Sequence, residues 1–310
     1  MVLKIRYLEF SDRIEEKNLC ICLGFFDGMH QAHTALVKQA VKVGKAKGLK
    51  VAMFTFSMNV LNFIRNKKHQ CLTSIEDKAK LAGELGIDLI YVMKVSEQLV
   101  HMSAEDFIAN FLNSADTVVA GHDFRFGYKN TGDITLLTKN KNFTTVVVPE
   151  ITYHNKKISS SSIRDILSEG DIHLANFLLG RPYKIKGKVI AGNKVARSFG
   201  FPTANITHEP YLLPKAGVYY TKVKYKDKTY DGATNIGFKP TYGHNDITVE
   251  TYIFDFHEDL YDQSLEIEFH KFLRPEEKYV SEAALIEQIK KDIEAVKTII
   301  GLEKTNEKNQ

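Results

Sequence analysis

Between residues 19 and 151, short apolar runs alternate with helix-length amphipathic stretches. The runs cover 19–23, 51–56, 89–95, 117–120 and 144–148. Runs this short, separated by helical segments, predict a parallel sheet with crossover helices. One crossover is predicted over 34–43, with Gly44 and Gly48 as stop signals. Another is predicted over 103–112, where Ser103 can cap and Asp106 sits at the capping-box position. Beyond Gly180-Arg181-Pro182 the texture changes to β-type runs at 183–190, 218–225, 230–236, 249–256 and 265–272. Turns rich in Gly, Pro, Asn and Asp join them, Lys226-Asp227-Lys228 reads as a hairpin turn, and no helix-length segment intervenes. About six strands of this kind close economically into a small antiparallel barrel. The last clear element is a helix, because Leu285, Ile289, Ile293, Val296 and Ile300 form one apolar stripe. Residues 303–310 are expected to fray as a polar tail. The pattern therefore predicts α/β plus all-β, divided into 1–181 and 182–310.

Composition narrows the class. A chain of 310 residues has the length of about two domains. At 44% hydrophobic and 26% charged it is neither disordered, fibrous nor a membrane bundle. The balance of 42 basic against 38 acidic residues is small and unclustered, which argues against a nucleic-acid groove. Lysines 38, 42, 45, 47 and 50 read as a solvated face. The charges from Lys4 to Lys17 leave no apolar signal core, and the run 19–26 is far shorter than the ~20 residues that span a bilayer. Cys20 and Cys22 alternate within an apolar run and Cys71 is distant, without His or Cys partners at metal-ligand spacing. Buried reduced thiols and a cytoplasmic protein without membrane partners are the expectation.

The first run leads into Gly24-Phe25-Phe26-Asp27-Gly28-Met29-His30-Gln31-Ala32-His33 and then a helix. A helix N-terminus offers unpaired N–H groups to phosphate, and two imidazoles there can stabilise charge on a transferring group. Structural histidines capping a helix are the alternative. Zinc is disfavoured, because no carboxylate or thiol stands at ligand spacing. The stretch resembles the nucleotidyltransferase signature of bacterial FAD synthetases. Gly121-His122-Asp123-Phe124-Arg125-Phe126-Gly127, Ile158-Ser159-Ser160-Ser161-Ser162-Ile163-Arg164 and Gly180-Arg181-Pro182-Tyr183 resemble further segments of the same family, in the same order. The resemblance covers nearly the whole chain and is to bifunctional riboflavin kinase/FMN adenylyltransferases.

That resemblance implies a Rossmann-like nucleotidyltransferase domain followed by a riboflavin kinase barrel. It assigns Gly24, Phe26, Asp27, Gly28, Ser159, Ser160, Ser161 and Arg164 to nucleotide and phosphate, and His30 and His33 to catalysis. It places Asp123, Phe124 and Arg125 by the adenosine or flavin; a strand-end turn is the alternative. The serines also read as caps for the helical pattern of Ile163, Ile166 and Leu167, with Arg164 as a forked donor to polyphosphate. Two departures stand out. Ala32 replaces the family's usual Gly, and Ser57-Met58-Asn59 stands where Pro and His are usual. They keep open a chain with kinase activity and a weakened adenylyltransferase site.

The β block carries a second candidate. Gly187 and Gly192 permit close approach of phosphate to backbone, Arg197 follows, and Pro202 precedes Thr203 and Asn205. In an extended segment Thr203 and Asn205 point to one side and offer two oxygen ligands of the kind Mg²⁺ takes beside phosphates. Pro202-Thr203-Ala204-Asn205 resembles the magnesium and ATP motif of riboflavin kinases. Glu250 shares a strand face with Tyr252, Phe254 and Phe256, which suits a general base beside a ring pocket; an exposed strand-end Glu is the alternative. The family's catalytic glutamate falls at Glu250, and Arg274 matches a position near the flavin unless it is a surface ion pair. The implied reactions are phosphorylation of riboflavin to FMN and adenylylation of FMN to FAD, with ATP and Mg²⁺. A flavin-binding regulator without turnover is the remaining alternative.

Overall fold

The computed structural model describes residues 3–67, 70–191, 201–241 and 244–307, in two compact units, Met1–Ser160 and Ser161–Gln310. In the first, β1 (Lys4–Leu8), β2 (Leu19–Leu23), β3 (Lys50–Phe56), β4 (Leu89–Met93), β5 (Thr117–Gly121) and β6 (Thr144–Val148) form one parallel sheet in the order β1-β4-β3-β2-β5-β6. The helices are α1 (Gln31–Lys47), α2 (Val60–Ile64), α3 (Ile75–Leu85), α4 (Glu97–Val100), α5 (Ala104–Phe111) and α6 (Ile134–Lys139). Every residue of β2 and β4 is buried. Leu19, Ile21 and Leu23 enter one apolar layer, Cys20 and Cys22 the other, so both sheet faces are covered. Ser103 caps α5 through the Asp106 N–H, as its spacing predicts.

Two details differ from the sequence reading. Gly44 lies inside α1, which ends only at Gly48 in a left-handed conformation. A Cβ at Gly44 would meet Val51 Cγ2 at 2.4 Å, so this glycine serves helix–sheet packing rather than termination. Strand β1 was not legible, because Lys4 and Arg6 give it the polarity of a sheet edge. From β2 the chain builds outward through β3 and β4, then returns to β5 on the other side of β2. The order reverses between β2 and β5, and the crevice outside their C-terminal ends is where open α/β sheets bind ligands. Leu23 and Gly121 end those strands.

A small hairpin, β7 (Thr152–Tyr153) with β8 (Lys156–Lys157), precedes α7 (Ser160–Glu169). Helix α8 (Ile172–Leu179) then packs against strands of the second unit. These are β9 (Tyr183–Ile190), β10 (Thr203–Ile206), β11 (Gly217–Tyr225), β12 (Lys228–Thr241), β13 (His244–Ile253) and β14 (Ser264–Pro275), closed antiparallel in the order β10-β13-β12-β11-β14-β9. Asn176 of α8 donates to the Phe269 carbonyl at 2.8 Å and accepts the Tyr183 N–H at 2.6 Å. These bonds tie α8 to the strands of the second unit.

Alternation sorts the barrel residues. Val249, Thr251 and Ile253 point inward with Thr221 and Thr234, and the three buried hydroxyls bond in series at 2.8 and 2.9 Å. The final helix, α9 (Glu282–Glu307), runs past the expected fraying point: Glu303 accepts from the Tyr220 hydroxyl at 2.9 Å and pairs with Lys222 at 3.2 Å.

Candidate functional site

Between β2 and α1 the backbone takes positive φ at Phe26 (54°), Gly28 (83°) and Met29 (41°). Two of these are not glycine, so the surroundings must hold the turn. Phe26 and Met29 are buried in the apolar layer beneath it. The Asp27 carboxylate, 1% exposed, accepts from the N–H groups of Leu72 (2.8 Å) and Thr73 (3.3 Å), and the Asp27 carbonyl accepts from the Ser160 hydroxyl at 2.8 Å. The side chains of Phe26 and Asp27 thus support the turn from below.

His30 caps α1: its Nδ1 accepts the His33 N–H at 3.4 Å. The two rings stack at 3.7 Å, and His33 meets Phe26 edge-on at 5.3 Å. With Nδ1 accepting, the neutral His30 ring carries its proton on Nε2. A cavity of about 380 Å³ opens here, lined by Gly24, Phe25 and His33, by Asn59 and Val60, and by Asp123, Phe124 and Arg125 from the loop after β5. The structure therefore joins Gly24, His33, Asp123, Phe124 and Arg125 at the sheet's switch point. Asp123 pairs with Lys157 and Arg125 with Asp133 at 3.0 Å. Burial raises the Asp123 carboxyl, but the Lys157 ammonium and His122 outweigh it and hold it below the ordinary range. Ser159 leads into α7, whose first residues are Ser160 and Ser161, with Arg164 one turn on.

Ser57-Met58-Asn59 has local work. The Ser57 hydroxyl accepts the Val95 N–H at 3.1 Å, Met58 packs on the core, and Asn59 caps α2 while lining the cavity. Ala32 lies in the first turn of α1, half-buried.

One residue of this region escaped the sequence reading. Lys78 of α3 is 2% exposed, and its Nζ donates to the Phe25 carbonyl at 2.7 Å and to Thr55 Oγ1 at 3.3 Å. The signal was its place on the apolar stripe of Ile75, Ala79 and Ala82, where a lysine has no water.

On the barrel, the register opposes Asn205 to Glu250 and Thr203 to Tyr252, and puts Asn235 on Glu250's other side. These side chains share the barrel's outer face, since their neighbours Val249, Thr251 and Ile253 fill its interior. Helix α9 covers that face, leaving a cavity of about 370 Å³ lined by Thr203, Asn235, Glu250 and Tyr252 and closed by Leu285, Ile289 and Ile293. A second cavity of about 520 Å³ is lined by Pro202, Thr203, Asn205 and residues 256–261. Thr203 borders both.

Other expectations fare differently. Strand β13 ends at Ile253 and Asp255 has φ 54°, so Phe256 lines the second cavity and not Glu250's. Gly187 makes room for protein: a Cβ there would stand 1.7 Å from the Thr207 carbonyl oxygen. Gly192 and Arg197 lie outside the described residues. Arg274 lines the first cavity, and its guanidinium forks onto Asp292 of α9 at 2.8 and 2.7 Å, which raises its already high pKa.

Comparison with known proteins agrees with both halves. Residues 12–162 match the FAD synthetase family and residues 179–300 the riboflavin kinase family. A bifunctional riboflavin kinase/FMN adenylyltransferase of Listeria monocytogenes is 40% identical over 291 residues, covering 91% of this chain and 92% of that one. Proteins of the same name from Bacillus subtilis and Escherichia coli strain K12 are 35% and 29% identical, over 93% and 97% of this chain and 95% and 98% of theirs. A Streptococcus pneumoniae crystal structure titled a macrolide-efflux protein superposes with TM-score 0.85 at 25% identity, covering 94% of this chain and 98% of that one. Among the described residues no helix is long and apolar enough to cross a membrane. With both family matches on one chain and relatives alike along almost their whole length, the chain belongs to the bifunctional riboflavin kinase/FMN adenylyltransferase family.

Proposed function

We propose that the chain phosphorylates riboflavin to FMN on the barrel and adenylylates FMN to FAD on the α/β unit, consuming one ATP in each step. The observation that carries the kinase assignment is Thr203 as a wall common to two cavities, with Glu250 in register beside Asn205. ATP occupies the cavity of Pro202, Thr203 and Asn205, and the flavin ring occupies the one under α9. The 5′-hydroxyl of riboflavin attacks the γ-phosphorus, Glu250 takes its proton, and ADP leaves. The donors Thr203 Oγ1 and Asn205 Oδ1 are hard oxygens on one face, a set that fits Mg²⁺ completed by phosphates, which supplies charge neutralisation when bound. Tyr252 borders the flavin ring, and Arg274 secures α9 over it.

In the α/β unit an FMN phosphate oxygen attacks the α-phosphorus of ATP and pyrophosphate leaves, so no proton acceptor is needed. His30 and His33 stabilise the charge that builds on the transferring group, at the positive end of α1. Ser159 and Ser160 hold the outer phosphates, and Asp123, Phe124 and Arg125 border the flavin or adenosine. Three buried cysteines, none in a disulfide, agree with a cytoplasmic setting.

Ala32 and Asn59 favour one further reading, a chain competent as kinase and weak as adenylyltransferase. A single pair of assays separates the readings: Mg-ATP with riboflavin, then Mg-ATP with FMN, with products resolved by chromatography. FMN in the first and FAD in the second supports the full assignment. FMN without FAD supports the kinase-only reading, and neither product leaves a flavin-binding protein without turnover.

A further inference from the structure

We propose that Lys78 is a positioning residue for adenylyl transfer: its buried ammonium holds the Phe25 carbonyl and so fixes the turn that presents His30 and His33. The inference rests on reading the α/β cavity as the adenylyl-transfer site. The Phe25 carbonyl immediately precedes the first positive-φ residue and accepts from two donors, Lys78 Nζ at 2.7 Å and the Thr55 hydroxyl at 2.8 Å. Lys78 also donates to that hydroxyl, closing a three-membered set, and lies 4.8 Å from the centroid of the Phe25 ring that lines the cavity. The turn is thus anchored at its start by Lys78 and Thr55 and in its middle by the contacts of Asp27.

A packing role alone does not account for a cation at this place. An apolar side chain of the same length completes the stripe of α3 without burying a charge. Burial pushes the Lys78 ammonium down to about 8, while the charges of Asp27 and Cys71, the titratable groups acting on it from the turn and from the segment before α3, pull it back up. A lysine lowered on folding costs stability at neutral pH, and that cost fades as pH rises from about 8 to the ordinary value of 10.5. The charge therefore works against stability while holding the turn, and the hold weakens on deprotonation.

The test compares the parent, Lys78→Met and Lys78→Arg for FMN adenylylation across pH 7 to about 9.5, with riboflavin phosphorylation and thermal midpoint measured in parallel. The parent should lose adenylylation along an alkaline limb near pH 8 that its kinase reaction lacks. Lys78→Met should melt no lower than the parent at pH 7 yet lose adenylylation kcat by ~10²-fold, the usual cost of misplaced catalytic groups. Lys78→Arg, charged throughout this range, should lack the limb. Parental kcat in a folded Lys78→Met, no alkaline limb in the parent, or an unshifted limb in Lys78→Arg overturns the proposal. Should a substitution prevent folding, the parental pH profile alone decides. His30→Ala run alongside keeps the site reading separate: full adenylylation in that variant refutes the site, whatever Lys78 does.

Discussion

Glu250 is flanked across the sheet by Asn205 of β10 and Asn235 of β12, so its carboxylate stands at the centre of a polar strip. Glu250→Gln keeps shape and hydrogen bonding and removes only the proton acceptor. Riboflavin phosphorylation should fall by ~10²–10⁴, the range typical of a lost general base, with little change in riboflavin KM. FAD formation from supplied FMN should be untouched, and kinase turnover within about twofold of the parent would remove Glu250 from the mechanism. Elsewhere on the barrel Glu268 has a structural part. His270 and Lys224, the latter at 2.6 Å, hold its carboxyl down to about 2 against the effect of burial. A carboxyl lowered on folding adds stability that is complete above its ordinary value of 4.5 and fades as pH falls toward 2. The parent's melting temperature should accordingly drop more steeply through that window than that of Glu268→Gln. Parallel curves would show that the pair is screened to no effect.

At the scale of elements, close approaches that only glycine permits decide where strands cross. Gly187 of β9 faces the Thr207 carbonyl oxygen, 1.7 Å from where a Cβ would stand, with Ile206 Cγ2 at 2.8 Å. Backbone on one side and a buried side chain on the other leave nowhere to yield. Gly187→Ala should lower barrel stability by at least the ~1–3 kcal/mol of an overpacked core and weaken riboflavin phosphorylation, read by denaturant titration and assay. An unchanged unfolding midpoint would show that β10 shifts freely. The same glycine marks where sequence reading stops. Strands β2, β6 and β9 were legible to the residue: β2 as a wholly buried apolar run, β9 by alternation of buried and open positions, and β6, of which only Val148 is buried, by its β-branched residues. Gly44 was misread as a helix stop, and the packing need at Gly187 was not foreseen, because a missing Cβ looks the same whether helix, strand or ligand occupies its place. The motif residues of the α/β unit were found, but not the support that Asp27 gives the turn, since its partners Leu72 and Thr73 lie some 45 residues away. Lys78 was missed for the same reason: its partners Phe25 and Thr55 are distant in sequence.

At the scale of the whole molecule, the described lining of each cavity belongs to one unit alone: residues 23–130 for the first site, residues 189–293 for the pair on the barrel. The chemistry is therefore separable by single substitutions in opposite directions. His30→Ala should cut FAD formation from FMN by ~10²–10³, the cost of one lost donor at a transferring group, and leave FMN formation intact. Glu250→Gln should do the reverse. Neither protein alone should carry riboflavin through to FAD at an appreciable rate. Mixed together with Mg-ATP and riboflavin, they should do so, because FMN released by the His30→Ala chain is the substrate that the Glu250→Gln chain still accepts. The time course should show FMN rising before FAD, with a lag that shortens as the concentration of the Glu250→Gln protein is raised. If the mixture yields FMN and no FAD while the Glu250→Gln protein still adenylylates supplied FMN, the His30→Ala chain holds on to the FMN it makes.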